Sequence, residues 1–313
     1  MVLTGTGLVS PAGTGVDDLF RCLREQKDRQ AELDPGQLLK HLNLREPKLK
    51  IARYTVPASK NAVVAIGAAM TDSRLDASQI AVDPYGHGIV LGTTRGACLT
   101  RENLYDSFAS RRGKALSGTI FSHCGYNIAG AMAAVAYGIR GPNLTVAGRP
   151  DLGIAILRRV RQIMVSRRAH TVFAGFTECN GTLRRADGLF GEWAYALCLE
   201  RKDRAVERGA TLLAEVFVEP VDAAAPQNEN DVLCGSTSCH SPLKGNGPAI
   251  ALDWPSRRIF CDRYASLILI GLLSHDRSLR KRFAAIAFTT YAGKSPIKVQ
   301  VQYGGEENQC HDP

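Results

Sequence analysis

Short apolar runs that end in glycine alternate along this chain with segments whose apolar residues recur at helical spacing, the pattern of βα units around a mostly parallel sheet. Val2-Leu3 opens a first strand that this pattern breaks at Gly5 and Gly7. Asp17-Asp18, followed by Leu19, Phe20 and Leu23 on one face, predict a helix over 16–25. The Ala- and Val-rich stretch 58–70 predicts a second, largely buried helix. Gly88-Ile89-Val90-Leu91-Gly92 reads as a central strand, and 129–137 as a small-residue helix closed by Gly138. A strand at 144–147, a basic helix at 154–167, strands at 171–174 and 194–200, a helix at 202–208 and a strand at 214–218 follow.

After Pro220 the pattern changes. Residues 221–230 are rich in Ala, Pro, Asn and Gln, the composition of an exposed connection. Beyond them lie a Gly/Ser/Cys-rich stretch, an apolar helix at 264–273, a basic cluster and a closing strand pair around 284–288 and 297–301. The last ten residues are expected to be loose.

Composition narrows the class. At 313 residues, 45% hydrophobic and 22% charged, the chain has the make-up of a globular protein and not of a disordered, collagen-like or coiled-coil one. The formal net charge of +9 and a pI near 9.2 favour an anionic partner, which leaves nucleic acid, an anionic membrane and an acidic carrier protein open. Nine cysteines at irregular spacing do not form the framework of a small secreted domain, so reduced thiols are expected. Met1 to Gly5 lacks the basic start and apolar run of a leader, and no stretch reaches the length of a spanning helix. These features together predict a cytoplasmic protein without a membrane span.

Five motifs in order carry a family resemblance. They are Thr4-Gly5-Thr6-Gly7-Leu8-Val9-Ser10-Pro11-Ala12-Gly13, the stretch from Gly138-Ile139-Arg140-Gly141-Pro142 to Val146-Ala147, Ala174-Gly175-Phe176-Thr177-Glu178, Asp187-Gly188-Leu189-Phe190-Gly191-Glu192, and Arg208-Gly209-Ala210 with Ala214-Glu215-Val216. In this order and spacing they resemble the β-ketoacyl synthases of the thiolase-like superfamily. The resemblance implies an α/β chain with a thiolase-like, layered α/β/α fold. Residues 1–220 would form a ketosynthase-like N-terminal half, and 221–313 a truncated, divergent C-terminal half completing the same fold.

Two departures shape the functional expectation. Members of that family carry a nucleophilic Cys three residues after the alanine that matches Ala147, where a helix N-terminus lowers the thiol pKa and a backbone N–H helps form an oxyanion hole. Here Gly148-Arg149-Pro150 follows Ala147. Pro150, at the nucleophile position, has neither an ionisable side chain nor a backbone N–H. The two histidine motifs that decarboxylate the malonyl donor are also missing. Ser236-Thr237-Ser238-Cys239-His240 is reminiscent of the second, and no role transfers to His240.

A ketosynthase-like chain without Cys and His resembles a chain length factor, the non-condensing partner of an active β-ketoacyl synthase in type II polyketide, aryl-polyene or fatty-acid-like chain elongation. That resemblance implies a pseudo-twofold interface through the strand Asn143, Leu144, Thr145 and Val146. It also implies a tunnel for the partner's growing chain lined from 120–127, with Phe121 and Tyr126 as wall residues, and no catalytic residue and no cofactor in this chain.

Other clusters have two readings each. Arg158, Arg159, Arg161, Arg167 and Arg168 make a basic helix, with Arg158, Arg161 and Arg168 roughly on one side. This is either a solvated face or a dock for an acidic acyl carrier protein; nucleic acid ranks last because no binding motif or aromatic platform accompanies the charge. Cys239, Cys124 and His240 could instead serve an independent acyltransferase, hydrolase or decarboxylase on the same scaffold, and a purely structural or anion-binding protein is a third reading. Cys234, Cys239 and His240 are too loosely spaced for zinc, so no metal is expected. His123 and Cys124 are expected to pack in the core, and Glu192 to be a structural acid. Gly5-Thr6-Gly7 lacks the third glycine of a dinucleotide fingerprint.

Overall fold

The apolar runs form one eight-stranded sheet. In the computed structural model, residues 1–10, 13, 15, 56–110, 118–148, 152–179, 193–220, 267, 270–271, 285–292 and 295–302 are described. The strands are β1 (Val2–Val9), β2 (His87–Thr93), β3 (Asn143–Ala147), β4 (Thr171–Glu178), β5 (Trp193–Glu200), β6 (Ala214–Pro220), β7 (Ala285–Ala292) and β8 (Ser295–Gln302). Their order is β3-β2-β4-β5-β1-β6-β8-β7. β2 runs parallel to β3 and β4, while every other pairing is antiparallel. The expected mostly parallel sheet is thus confined to β2, β3 and β4. Apolar periodicity reports that a strand is buried; its direction depends on whether the chain crosses over the sheet first, which periodicity does not record.

The helices that accompany the strands include α1 (Pro57–Asp72), α2 (Ala77–Val82), α3 (Cys98–Ser110), α4 (Gly118–Ser122), α5 (Ile128–Tyr137), α6 (Leu152–Val165) and α7 (Lys202–Glu207). α1 packs on α5 and on β1, β4 and β5. Ile66, Ala133, Ile89, Leu91, Phe173 and Ala196 form part of a single apolar cluster beneath these two helices. α6 contacts β2, β3 and β4 and buries Leu152, Ile156, Leu157 and Val160, none of which belongs to that cluster. Helices therefore cover both sides of the sheet, the layered α/β/α arrangement that the motifs imply. Each large side chain so buried contributes about 1.5–3 kcal/mol.

β1 corrects one expectation, because it runs unbroken through Gly5 and Gly7. A Cβ on Gly7 would lie 1.9 Å from the Ala65 carbonyl oxygen, and one on Gly5 2.5 Å from that of Ala69. The glycines mark the close approach of α1 to the strand, and they do not end it. A bulge does occur at Thr4, where the register shifts between Leu3 and Gly5. At the end of α1, Asp72 accepts the Thr6 N–H at 2.7 Å.

The helix over 58–70 is present as α1, and the 129–137 helix ends as expected, with Gly138 in the left-handed region at φ 74°. α2, α3 and α4 were not foreseen. α2 nonetheless carries a capping box, with Asp76 accepting the Ser78 and Gln79 N–H groups and Gln79 reaching back to the Asp76 N–H. The helix at 16–25, the connection at 221–230 and the cluster Arg280-Lys281-Arg282 lie outside the described residues. Of the 264–273 helix, Leu267, Ile270 and Gly271 are described, helical and buried. No helix among the described residues is long and apolar enough to cross a membrane.

Candidate functional site

Three parallel strands point their carboxyl ends the same way, with Thr93 of β2 opposite Ala147 of β3 and β4 ending at Glu178. Beyond such ends, loops from neighbouring strands converge and ligands commonly bind. The turn after β3 passes through Gly148 at φ 70°, a conformation that glycine adopts without penalty. Pro150, three residues after Ala147, lies outside the described residues.

Glu178 organises this end of the sheet. The carboxylate is 2% exposed and accepts the backbone N–H of Thr94, the Arg95 N–H at 3.4 Å and the Thr93 hydroxyl at 3.4 Å. The loop after β2 is therefore wrapped around one acid, a use that suits an anchor better than a proton carrier. Thr93 Oγ1 in turn accepts the Gly96 N–H at 2.8 Å. Cys98, the first residue of α3, donates its thiol proton to the Cys179 carbonyl at 2.8 Å. The sequence motif that contains Glu178 does not announce this role, and Thr93 and Cys98 belong to none of the motifs.

The expected interface strand is the sheet's edge. Among the described residues β3 pairs with β2 alone, and along it Asn143, Leu144 and Ala147 are exposed while Thr145 and Val146 are half-buried. Leu144 is 41% exposed, Ile120 and Phe121 are 41% and 65%, Tyr126 is 45%, and Val135 on α5 is 44%. α5 packs along β3 and Tyr126 lies just before it in the chain. An apolar edge of this kind is what an assembly partner covers.

Phe121 and Tyr126 are both exposed side chains. Tyr126 is held from behind. The Arg101 guanidinium lies 4.9 Å from its ring centre, and Arg101 donates to the Cys124 carbonyl at 3.1 Å and the Arg95 carbonyl at 2.6 Å. His123 and Cys124 are half-buried in the turn after α4, which corrects the expectation that they belong to the core. Five residues of helix and one turn are too few to cover them. The Cys124 thiol donates to the Ile120 carbonyl at 3.4 Å.

The basic helix is α6, and it stops at Val165. Arg158 and Arg161 are exposed on it. Arg168 is exposed too, but it follows Arg167, whose φ of 56° has already left the helix. The expectation that Arg168 shares a helix face with the other two is corrected accordingly. Arg161 also lines a groove of about 300 Å³ with Met164, Lys202, Val216 and Phe217. That groove lies at the far end of the sheet from Glu178, because Glu200, just before Lys202, pairs with Thr171 at the start of β4. Cys234, Cys239, His240 and Glu192 lie outside the described residues. Among the described residues no cluster of three His, Cys, Asp or Glu could hold a metal ion.

No family model matches the chain. It is 23% identical over 256 residues, 69% of this chain, to 3-oxoacyl-(acyl-carrier-protein) synthase 2 of Coxiella burnetii, and the match spans 61% of that relative's length. Among solved structures, a type II polyketide synthase acyl-carrier protein in complex with its ketosynthase bound to the hexaketide superposes at a TM-score of 0.71. It is 18% identical, with 96% of this chain and 99% of that one covered. The ishigamide ketosynthase/chain length factor gives a TM-score of 0.67 at 21% identity, covering 97% and 99%. A β-ketoacyl synthase from Burkholderia phymatum gives 0.63 at 12%, again covering 97% and 99%.

Proposed function

Since the chain has the thiolase-like fold of the β-ketoacyl synthase superfamily, we propose that it is a catalytically silent subunit of the chain-length-factor kind, working in the cytoplasm as the partner of an active β-ketoacyl synthase. The partner supplies the nucleophilic Cys and the histidines. This chain supplies an interface through Asn143, Leu144, Thr145 and Val146 and a tunnel wall that includes Phe121 and Tyr126. The observation that carries the reading is the edge position of β3, with Leu144 exposed on it and exposed Ile120, Phe121 and Tyr126 on the segment leading into α5. A second strand added to β3 would pair its outer N–H and C=O groups, which no strand among the described residues pairs, and would cover Leu144.

Silence rests on Pro150, since a residue with no ionisable side chain forms no acyl-enzyme. An acidic carrier protein is a natural visitor to a complex of this kind, and the exposed Arg158, Arg161 and Arg168, which have no acidic partner among the described residues, are its proposed contacts on this subunit. Residues 221–313 are proposed to complete the fold as a shortened second half. Light scattering after size exclusion, on the chain alone and co-expressed with a ketosynthase from the same source, tests the reading. A stable hetero-assembly is the expected result. A monodisperse chain that ignores the ketosynthase would overturn it.

A further inference from the structure

The wall residue Tyr126 does not set its own position. Its ring lies with the Arg101 guanidinium 4.9 Å from its centre and against the backbone at Gly96, where a Cβ would come within 2.9 Å of Tyr126 Cδ1. Gly96 has φ 58°, so the missing side chain serves both the turn and the fit of the ring. Arg101 is half-buried in the first turn of α3. Its two terminal nitrogens hold the Cys124 and Arg95 carbonyls, which fixes the plane of the guanidinium. Arg95 itself is bound through its N–H to Glu178 at the end of β4. A continuous chain of contacts thus runs from the buried Glu178 through the loop 93–96 and Arg101 to the exposed ring.

We infer that Arg101 is a positioning residue that clamps Tyr126 and so fixes the shape of the surface offered to the partner's growing chain. The specificity part of the inference rests on the proposed function; the clamp does not. A planar fork that binds two carbonyls and stacks on a ring is a task for Arg, which Lys performs only in part.

The test has two arms. In the first, the isolated full chain is treated with tetranitromethane and nitration is read at each tyrosine by peptide mass spectrometry, with the exposed Tyr85 and Tyr105 (63% and 70%) as internal references. Arg101→Ala is expected to raise nitration of Tyr126 about fivefold relative to both references, the population change that about 1 kcal/mol of cation–π attraction supports. Arg101→Lys is expected to fall between the Ala variant and the wild type. If the Ala variant unfolds, the references change with it, and the Lys variant decides. Unchanged Tyr126 nitration in a folded variant overturns the clamp. In the second arm, products of the co-expressed pair are sized. Arg101→Ala is expected to lengthen and broaden their distribution, with partial recovery in Arg101→Lys. If Tyr126 is released and the products do not change, the clamp stands and the tunnel-wall assignment falls.

Discussion

Arg208 holds Glu200 with two nitrogens, Nε at 2.8 Å from Oε2 and Nη2 at 2.5 Å from Oε1. Glu200 is 1% exposed and also accepts the Thr4 hydroxyl at 2.5 Å, while Arg208 donates to the Ser73 carbonyl at 2.9 Å. One carboxylate therefore joins β5, the bulge of β1, the residue capping α1 and the residue after α7. Removing the cation would leave a buried charge uncompensated, which costs about 3–5 kcal/mol. Arg208→Ala is expected to lose that much in urea unfolding, and Arg208→Lys less, since it keeps the charge without the fork. An unchanged midpoint in the Ala variant would show that the pair contributes nothing.

Burial, reinforced by Glu200, pushes the Cys198 thiol up to about 12. The thiolate is the reactive form, so native Cys198 is expected to stay unmodified by iodoacetamide at pH 8 under conditions that alkylate the partly exposed Cys98 and Cys124. Peptide mapping reads this directly. Rapid labelling of Cys198 in the folded chain would contradict the packing around β5.

Burial also lowers the pKa of His87 below its ordinary 6.5; its Nδ1–H donates to the Asp83 carbonyl at 2.8 Å. Its charged or titratable neighbours are His170, with ring centres 5.0 Å apart, Asp83 and Glu200. Below pH 6.5 the unfolded chain takes up a proton at this position that the folded chain refuses. The contribution to stability is therefore complete above about 6.5 and declines as the pH falls toward the lowered folded value. Urea midpoints at pH 7.5, 6.5 and 5.5 are expected to fall in that order, and His87→Asn to flatten the slope. A variant with the wild-type slope would assign the effect to other groups.

Leu144 stands 41% exposed on the edge strand, so Leu144→Lys is expected to leave the fold of the isolated chain intact and to prevent assembly with a ketosynthase, a charge being a common way to block an open edge. Circular dichroism and co-elution on size exclusion give the two readings. A variant that still co-elutes at wild-type yield would place the interface elsewhere.

Pro150→Cys tests the proposed silence of the chain. The histidine motifs are absent as well, so the variant alone is expected to condense no malonyl units. Measurable condensation by it would mean that the chain contains a decarboxylation site of its own.

Those elements announced by local chemistry were legible in the sequence. Gly138 ends α5 because a left-handed C′ position needs it, and the run of Ala and Val in α1 matches a helix buried on most of its sides. α2 carried a readable signal in Asp76 and Gln79, whereas α3 did not: it buries only Thr100 and Leu104, too narrow a stripe to register as a period. The glycines of β1 were seen, yet their meaning depends on a helix some sixty positions away, which no local window contains. The same holds for the candidate site. The edge strand could be named from its motif, but Arg101, Glu178 and Tyr126 come together only once β2, β4 and α3 are assembled.

The central place of β1 also governs how the molecule can form. Thr4 and Cys198, hydrogen-bonded across β1 and β5, are 194 positions apart, and β6 joins the other side of β1 later still. At roughly 5–20 residues per second, a nascent β1 emerges with both edges open for on the order of 10–40 s before either neighbour exists. Contacts of such long range make folding slow. β1 is thus made long before either of its sheet neighbours, and the yield of the chain in a cell will depend on what shields that strand during synthesis.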